Sequence, residues 1–507
     1  MADDHGASIR VVQEVAVPLR DGTVTRAEVW LPEGSGAHPV ILVRTIVPVD
    51  GPPTIQPLID PRLAASRGYA LVLQEVRGRG PSEGDFEPFV NEAADGADSI
   101  AWIAEQEWCD GGVVMAGASV LGAAQWLAAS ADPPALRAIA PVISSDDLAE
   151  GWSLTAGVPE HGFLSTWSAV TLVAPDESWL EAPERALDDL DALARIAPWT
   201  EHWYGPADSA YWAQLGLPTP GDKRQVPAFI AGGWYDIFLA GTLASFARSS
   251  DPRDRLVLGP WGHDPYLSWL IGEVNAGAAG AGLGRLFRWS LDFYDAVLAN
   301  REPDAPRVRA YVLNARRWIA LPTWPPPEAS GRRISLEEGT FGVDPSNPVP
   351  SRGGRGFTPG LPDSGWGVRD QRATATRDDV IEAARTTLRD ATLLAGPITA
   401  RLRTGARGQG ACLWTATLCH EQPDGALHNL CDGVASAPAE AGEVEVSLGS
   451  VCVALPAGAQ LVLLVAGSSF PRWPRPQHSR TQTLLEGGEL TLTTAPYSLI
   501  DSAALDD

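Results

Sequence analysis

Val113-Val114-Met115-Ala116-Gly117-Ala118-Ser119-Val120-Leu121-Gly122-Ala123-Ala124-Gln125-Trp126-Leu127-Ala128 is the stretch that decides the fold. Its first four residues form a continuous apolar run, as expected of a strand buried on both faces of a parallel sheet. From Leu121 onward, small and apolar residues suit a helix. Between the two stands Ser119, with glycine two residues before it and three after it. A serine on so tight a strand-to-helix turn is held out of the sheet, and small neighbours let the backbone bend. The first N–H groups of the helix lack internal acceptors and face whatever the hydroxyl attacks. The segment therefore predicts a nucleophile, which in turn requires an acid and a histidine further along the chain.

Both follow in that order. The apolar run Pro227-Ala228-Phe229-Ile230 reads as a parallel strand and leads into Ala231-Gly232-Gly233-Trp234-Tyr235-Asp236. Leu256-Val257-Leu258 reads as the next strand and leads into Gly259-Pro260-Trp261-Gly262-His263. Open α/β sheets place their sites just past the carboxyl ends of the strands, where Asp236 and His263 fall. The order Ser119, Asp236, His263 is that of an α/β-hydrolase triad. Asp236 also reads as a helix N-cap before Ile237-Phe238-Leu239, and His263 as a plain loop histidine. Neither reading accounts for both residues following strands on one side of a sheet.

These residues carry a resemblance. The chain resembles the family of cocaine esterase, α-amino acid ester hydrolases, glutaryl cephalosporin acylases and X-Pro dipeptidyl-peptidases. The matching pieces are Trp108-Cys109-Asp110-Gly111-Gly112 leading to the Ser119 turn, Gly233-Trp234-Tyr235-Asp236, Gly259-Pro260-Trp261-Gly262-His263, the upstream Arg77-Gly78-Arg79-Gly80-Pro81-Ser82-Glu83-Gly84, and Ser468-Ser469-Phe470-Pro471-Arg472-Trp473. The resemblance implies an α/β-hydrolase core, a helical cap insertion and a C-terminal β-sandwich of jelly-roll type. It implies an oxyanion hole from the Val120 N–H and the loop containing Val47, which stands where the family has a tyrosine. Thr45, or a backbone N–H near Val47, is a substitute donor. It also places Trp152, Trp167 and Phe238, with Trp234 of the acid motif, at the substrate.

Composition narrows the partners. The 507 residues exceed one compact core. With 38 basic against 63 acidic side chains the net charge is −25, which argues against nucleic acid or an anionic membrane. Lys223 is the sole lysine and sits in a polar loop, so Schiff-base or Ser–Lys chemistry is not expected. The polar, acidic N-terminus shows no secretory leader, no apolar run is long enough to span a membrane, and five cysteines suit a reducing cytoplasm. Cys412, Cys419, His420, His428 and Cys431 lie close in sequence but lack zinc-ligand spacing, so neither metal nor cofactor is expected.

Along the chain, the expected units are a first core segment over 1–144, a helical cap over 145–224, a second core segment over 225–305 and a jelly-roll β-sandwich over 306–507. Strand signals vanish across the cap while tryptophans crowd in, and the stretch 353–378 reads as a long polar loop. The expected activity is cleavage of an ester or amide of a small-molecule acyl substrate through a Ser119 acyl-enzyme. An acyltransferase or cyclase with a non-water acceptor, and a binding protein with a disabled site, are the alternatives. The expected partner is the acyl substrate, with a homodimer left open.

Overall fold

The computed structural model describes residues 8–34, 36–46, 59–169, 184–215, 226–263, 269–282, 284–359, 361, 366–407 and 410–505. Strands β1 (Ile9–Pro18) and β2 (Val24–Pro32) form an antiparallel entry, and β2 alternates buried and half-buried residues. The apolar runs then give β3 (His38–Thr45), β4 (Ala70–Glu75), β5 (Cys109–Ala118) and β6 (Leu136–Val142). Val40 to Val43 and Val113 to Met115 are wholly buried, as strands covered on both faces must be. Between strands lie helices α1 (Pro61–Ser66), α2 (Glu92–Ala104) and α3 (Val120–Ser130).

A cap follows. It opens with a small hairpin, β7 (Leu154–Thr155) and β8 (Val158–Pro159), where no strand was expected, and continues with α4 (His161–Trp167) and, among the described residues 184–215, with the short helices Arg185–Asp188, Leu190–Ile196, Thr200–Trp203 and Ala210–Gln214. Two-residue strands are too short to leave a period in the sequence. The chain then returns through β9 (Phe229–Gly233) and β10 (Arg255–Gly259), passes a hairpin of β11 (Leu270–Ile271) and β12 (Val274–Asn275), and adds β13 (Val308–Val312) and β14 (Arg317–Leu321). The ten-stranded sheet runs β1-β2-β4-β3-β5-β6-β9-β10-β13-β14 and is parallel from β4 to β13. The last two strands, β13 and β14, lie beyond residue 305 and still pair with the core sheet. The short alternating segments beyond 306 look alike whether they close one sheet or open another.

From Ser330 onward the chain forms a β-sandwich. One sheet holds β15 (Ser330–Ser335), β16 (Gly339–Val343), β18 (Thr392–Arg407), β21 (Glu443–Leu455) and β23 (Arg480–Ala495). The other holds β17 (Val380–Thr387), β19 (Ala411–Glu421), β20 (Leu427–Pro438) and β22 (Gln460–Ala466). The long loop between β16 and β17 reaches back to the hydrolase core, with Gly272 bridging to Val368. Among the described residues, no helix is long and apolar enough to cross a membrane.

Candidate functional site

Ser119 occupies the turn between β5 and α3 with φ 57° and ψ −124°. A non-glycine residue held there costs about 1–3 kcal/mol, so the surroundings must enforce it. Its N–H donates to the Val142 carbonyl at 2.9 Å, and its carbonyl accepts from Gly122 and Ala123 at 2.8 and 3.0 Å. Two glycines make room. A Cβ on Gly117, whose φ is +146°, would come within 2.5 Å of the Leu121 Cβ, and one on Gly122 within 2.5 Å of the Ser144 Cβ. The leucine at Ser+2 is thus accommodated by the glycine at Ser−2. Val120 opens α3, and its N–H reaches no acceptor among the described residues.

The acid and histidine loops are stitched to each other through backbone. The Trp234 N–H donates to the Gly259 carbonyl at 3.0 Å, and the Tyr235 N–H to the Trp261 carbonyl at 2.8 Å. A side chain on Gly233 would overlap that Trp261 carbonyl, and one on Gly259 would overlap the Trp261 indole. This close approach brings Asp236 Oδ1 to 2.8 Å from His263 Nδ1, and His263 Nε2 to 2.9 Å from Ser119 Oγ. A carboxylate only accepts, so Nδ1 carries the proton and Nε2 is left to accept from the Ser119 hydroxyl. Asp236 is fully buried, and its Oδ2 accepts the Phe238 N–H at 2.9 Å ahead of the helix Leu239–Ala247. Asp236 thus stands two residues before the Phe238 N-cap, with one oxygen on the Phe238 N–H and the other on the imidazole.

An aromatic wall faces the histidine. Phe238 meets the His263 ring edge-on at 5.1 Å, and Trp152 stacks on Phe238 at 4.0 Å and 10°. Phe163 and Trp167 of α4 pack on Trp152, and Phe89 closes behind it. Trp152, Trp167 and Phe238 are thus brought together beside His263. Trp234 is not. Its indole donates to the Tyr311 carbonyl at 2.8 Å and its ring packs on Trp324, so it serves the core beneath the sheet. Tandem placement beside Asp236 misleads here, because the turn after β9 sends successive side chains to different sides.

Sequence reasoning missed Phe357. It lies in the loop read as polar, yet its ring sits 4.3 Å from the His263 ring and 6.0 Å from Phe163. Its signal was an aromatic, one of two with Trp366, in a Gly/Arg-rich stretch. Trp366 of the same loop covers Gly262, where any Cβ would overlap its indole. Of the oxyanion candidates, Val47 lies outside the described residues. The Tyr235 hydroxyl is directed to the Asn429 carbonyl of β20 at 3.3 Å, where burial pushes its pKa up, and so is committed to the sandwich. A second buried histidine, His161, bonds through Nδ1 to the Tyr204 hydroxyl at 2.9 Å and through Nε2 to the Leu187 carbonyl at 3.1 Å. Burial pulls its pKa down to about 4, so it stays neutral.

Comparison with known proteins agrees with this layout. Residues 21–265 match the family described as X-Pro dipeptidyl-peptidase (S15 family), and residues 300–498 match its C-terminal non-catalytic domain. Cocaine esterase of Rhodococcus sp. is 31% identical over 538 aligned positions, covering 92% of each chain. Among solved structures, an aminopeptidase from a marine-sediment Thaumarchaeota archaeon superimposes with a TM-score of 0.78 at 21% identity, over 98% of both chains. An α-amino acid ester hydrolase does so with a TM-score of 0.75 at 21% identity, again over 98% of both. At such identity the structural likeness speaks for the fold alone.

Proposed function

The chain belongs to the family of X-Pro dipeptidyl-peptidases and cocaine esterase, hydrolases of the α/β-hydrolase fold, and on that premise we propose that it cleaves esters or amides of small acyl substrates through Ser119. The observation that carries the reading is the continuous line Ser119 Oγ–His263–Asp236, with links of 2.9 and 2.8 Å and the carboxylate fully buried. In this mechanism Ser119 Oγ attacks the carbonyl carbon while its proton passes to His263 Nε2. Asp236 fixes the tautomer and stabilises the imidazolium. The imidazolium returns the proton to the departing alcohol or amine, leaving an acyl-enzyme. Water, deprotonated by His263, then releases the acid.

The Val120 N–H serves as one oxyanion donor, since it opens α3 and meets no acceptor among the described residues. Trp152, Trp167 and Phe238 supply an apolar acyl wall, which supports an uncharged acyl group. Burial of His263 between Phe238 and Phe357 also supports a second reading, transfer of the acyl group to an amine or alcohol in place of water.

The test is labelling with a fluorophosphonate, read by intact mass, alongside release of p-nitrophenol from an ester. Wild type should gain one adduct and turn over steadily, and Ser119→Ala should do neither. A labelled protein whose acyl-enzyme stalls until an amine is added would favour transfer. No labelling of wild type would overturn both readings.

A further inference from the structure

We infer that Arg472, in the C-terminal sandwich, is a positioning residue for the active-site wall. It acts through a buried charge cluster with Glu160, Asp432 and Arg355. The inference rests on the proposed role of Ser119 and His263 only for which surface counts as the wall.

The cluster joins distant parts of the chain. Arg472 Nε and Nη2 donate to the two Glu160 oxygens at 3.1 and 3.2 Å, a two-pronged pairing across 312 residues of sequence. Its Nη1 donates to Asp432 Oδ2. Arg355 places Nε 3.8 Å from Asp432 Oδ1 and donates through Nη2 to the Asp432 carbonyl and, at 2.7 Å, to the Leu448 carbonyl. The Arg472 and Glu160 side chains are 4% and 2% exposed. Two positive and two negative groups make the cluster neutral overall.

Burying four charges is poor value for stability alone, since well-packed apolar side chains often do as well. What the charges hold supplies the reason. Glu160 immediately precedes α4, whose Phe163 and Trp167 stand in the aromatic wall, and a hydrogen bond from Thr155 at 2.6 Å braces it. The Gly162 N–H, in the first turn of α4, donates to the Arg472 carbonyl at 3.2 Å. A Cβ on Gly162 would come within 2.6 Å of Thr358 Cγ2 and 2.8 Å of the Pro471 carbonyl, so the helix start has no room to slide. On the other side, Arg355 stands two residues before Phe357, which packs against His263. The two halves of the wall, one from the cap and one from the sandwich loop, are therefore registered to one set of ion pairs. An arginine suits the task because its planar fork fixes direction as well as distance.

The experiment uses the full chain with Arg472→Met, comparing hydrolysis of p-nitrophenyl benzoate and p-nitrophenyl acetate with near-UV circular dichroism. A bulky acyl group needs the wall and an acetyl group hardly touches it. The expected result is a loss in kcat/KM of roughly tenfold for the benzoate, chiefly in KM, and less than about threefold for the acetate. The tryptophan bands should change while the far-UV spectrum does not. Adding Glu160→Gln to Arg472→Met should cost nothing further, because both act through one contact. Equal losses for the two esters, or none in a folded variant, would overturn the inference. If Arg472→Met does not fold, Glu160→Gln alone should show the same pattern, and its failure to do so would overturn the inference equally. Should wild type cleave neither ester, the hydrolase reading fails. The near-UV spectrum still decides this one: bands unchanged by Arg472→Met would overturn it.

Discussion

The loops that carry Asp236 and His263 and the wall that faces them are held by different forces. The loops are fixed by backbone against backbone: Trp234 to Gly259, Tyr235 to Trp261, with glycines wherever a Cβ would intrude. The wall is fixed by side chains from afar, aromatic rings stacked on one another and a neutral set of buried charges. Backbone stitching tolerates almost no displacement and suits the proton-transfer line. Side-chain packing can be re-cut without disturbing that line, which suits a surface that selects substrates. On the proposed reading, chemistry and selectivity would reside in separately held regions.

The sharpest way to probe the first region is Asp236→Asn. The geometry survives but the imidazole loses the group that fixes its tautomer, so kcat should fall on the order of 10⁴-fold while fluorophosphonate labelling slows in parallel. A much smaller loss would mean that another group orients His263. Next in size is Gly233→Ala. The added methyl must displace the Trp261 carbonyl, moving His263 relative to Ser119, and a shift of about 1 Å costs roughly a hundredfold in kcat/KM. Acetyl and benzoyl esters should suffer alike, in contrast to changes in the wall. If the benzoate suffered more, the two regions would not be separable.

The smallest effect concerns the wall side and pH. Burial holds His161 neutral in the folded protein, with its pKa near 4, whereas in the unfolded chain it takes a proton near 6.5. Between those values the unfolded state binds more protons, so its contribution is full above about 6.5 and is lost as pH falls toward about 4. The urea midpoint of wild type should decline over that window, and His161→Gln should flatten the decline. An unaltered slope would assign the acid sensitivity to other groups.

Much of the core was legible because its rules are local. Continuous apolar runs mark β3, β4, β5, β9 and β10, since a strand covered on both faces has no polar positions to spare. That Ser119, Asp236 and His263 come together was legible because each follows such a run. The joining of β13 and β14 to the core sheet was not, because they read like any short antiparallel pair. Trp234 was assigned to the substrate and Phe357 was passed over for one reason: an aromatic residue announces that it will be buried, but not against what.

The sequence by itself therefore determined the strand order of chemistry, the serine turn and the glycines that permit it, since these depend on backbone conformation and nearest neighbours. Only the tertiary structure decided which tryptophans stack behind Phe238, that a sandwich loop supplies Phe357, and that Arg472 meets Glu160. Those contacts lie between residues far apart in the chain, and their partners are selected by the shape and charge left over once every local rule has been obeyed.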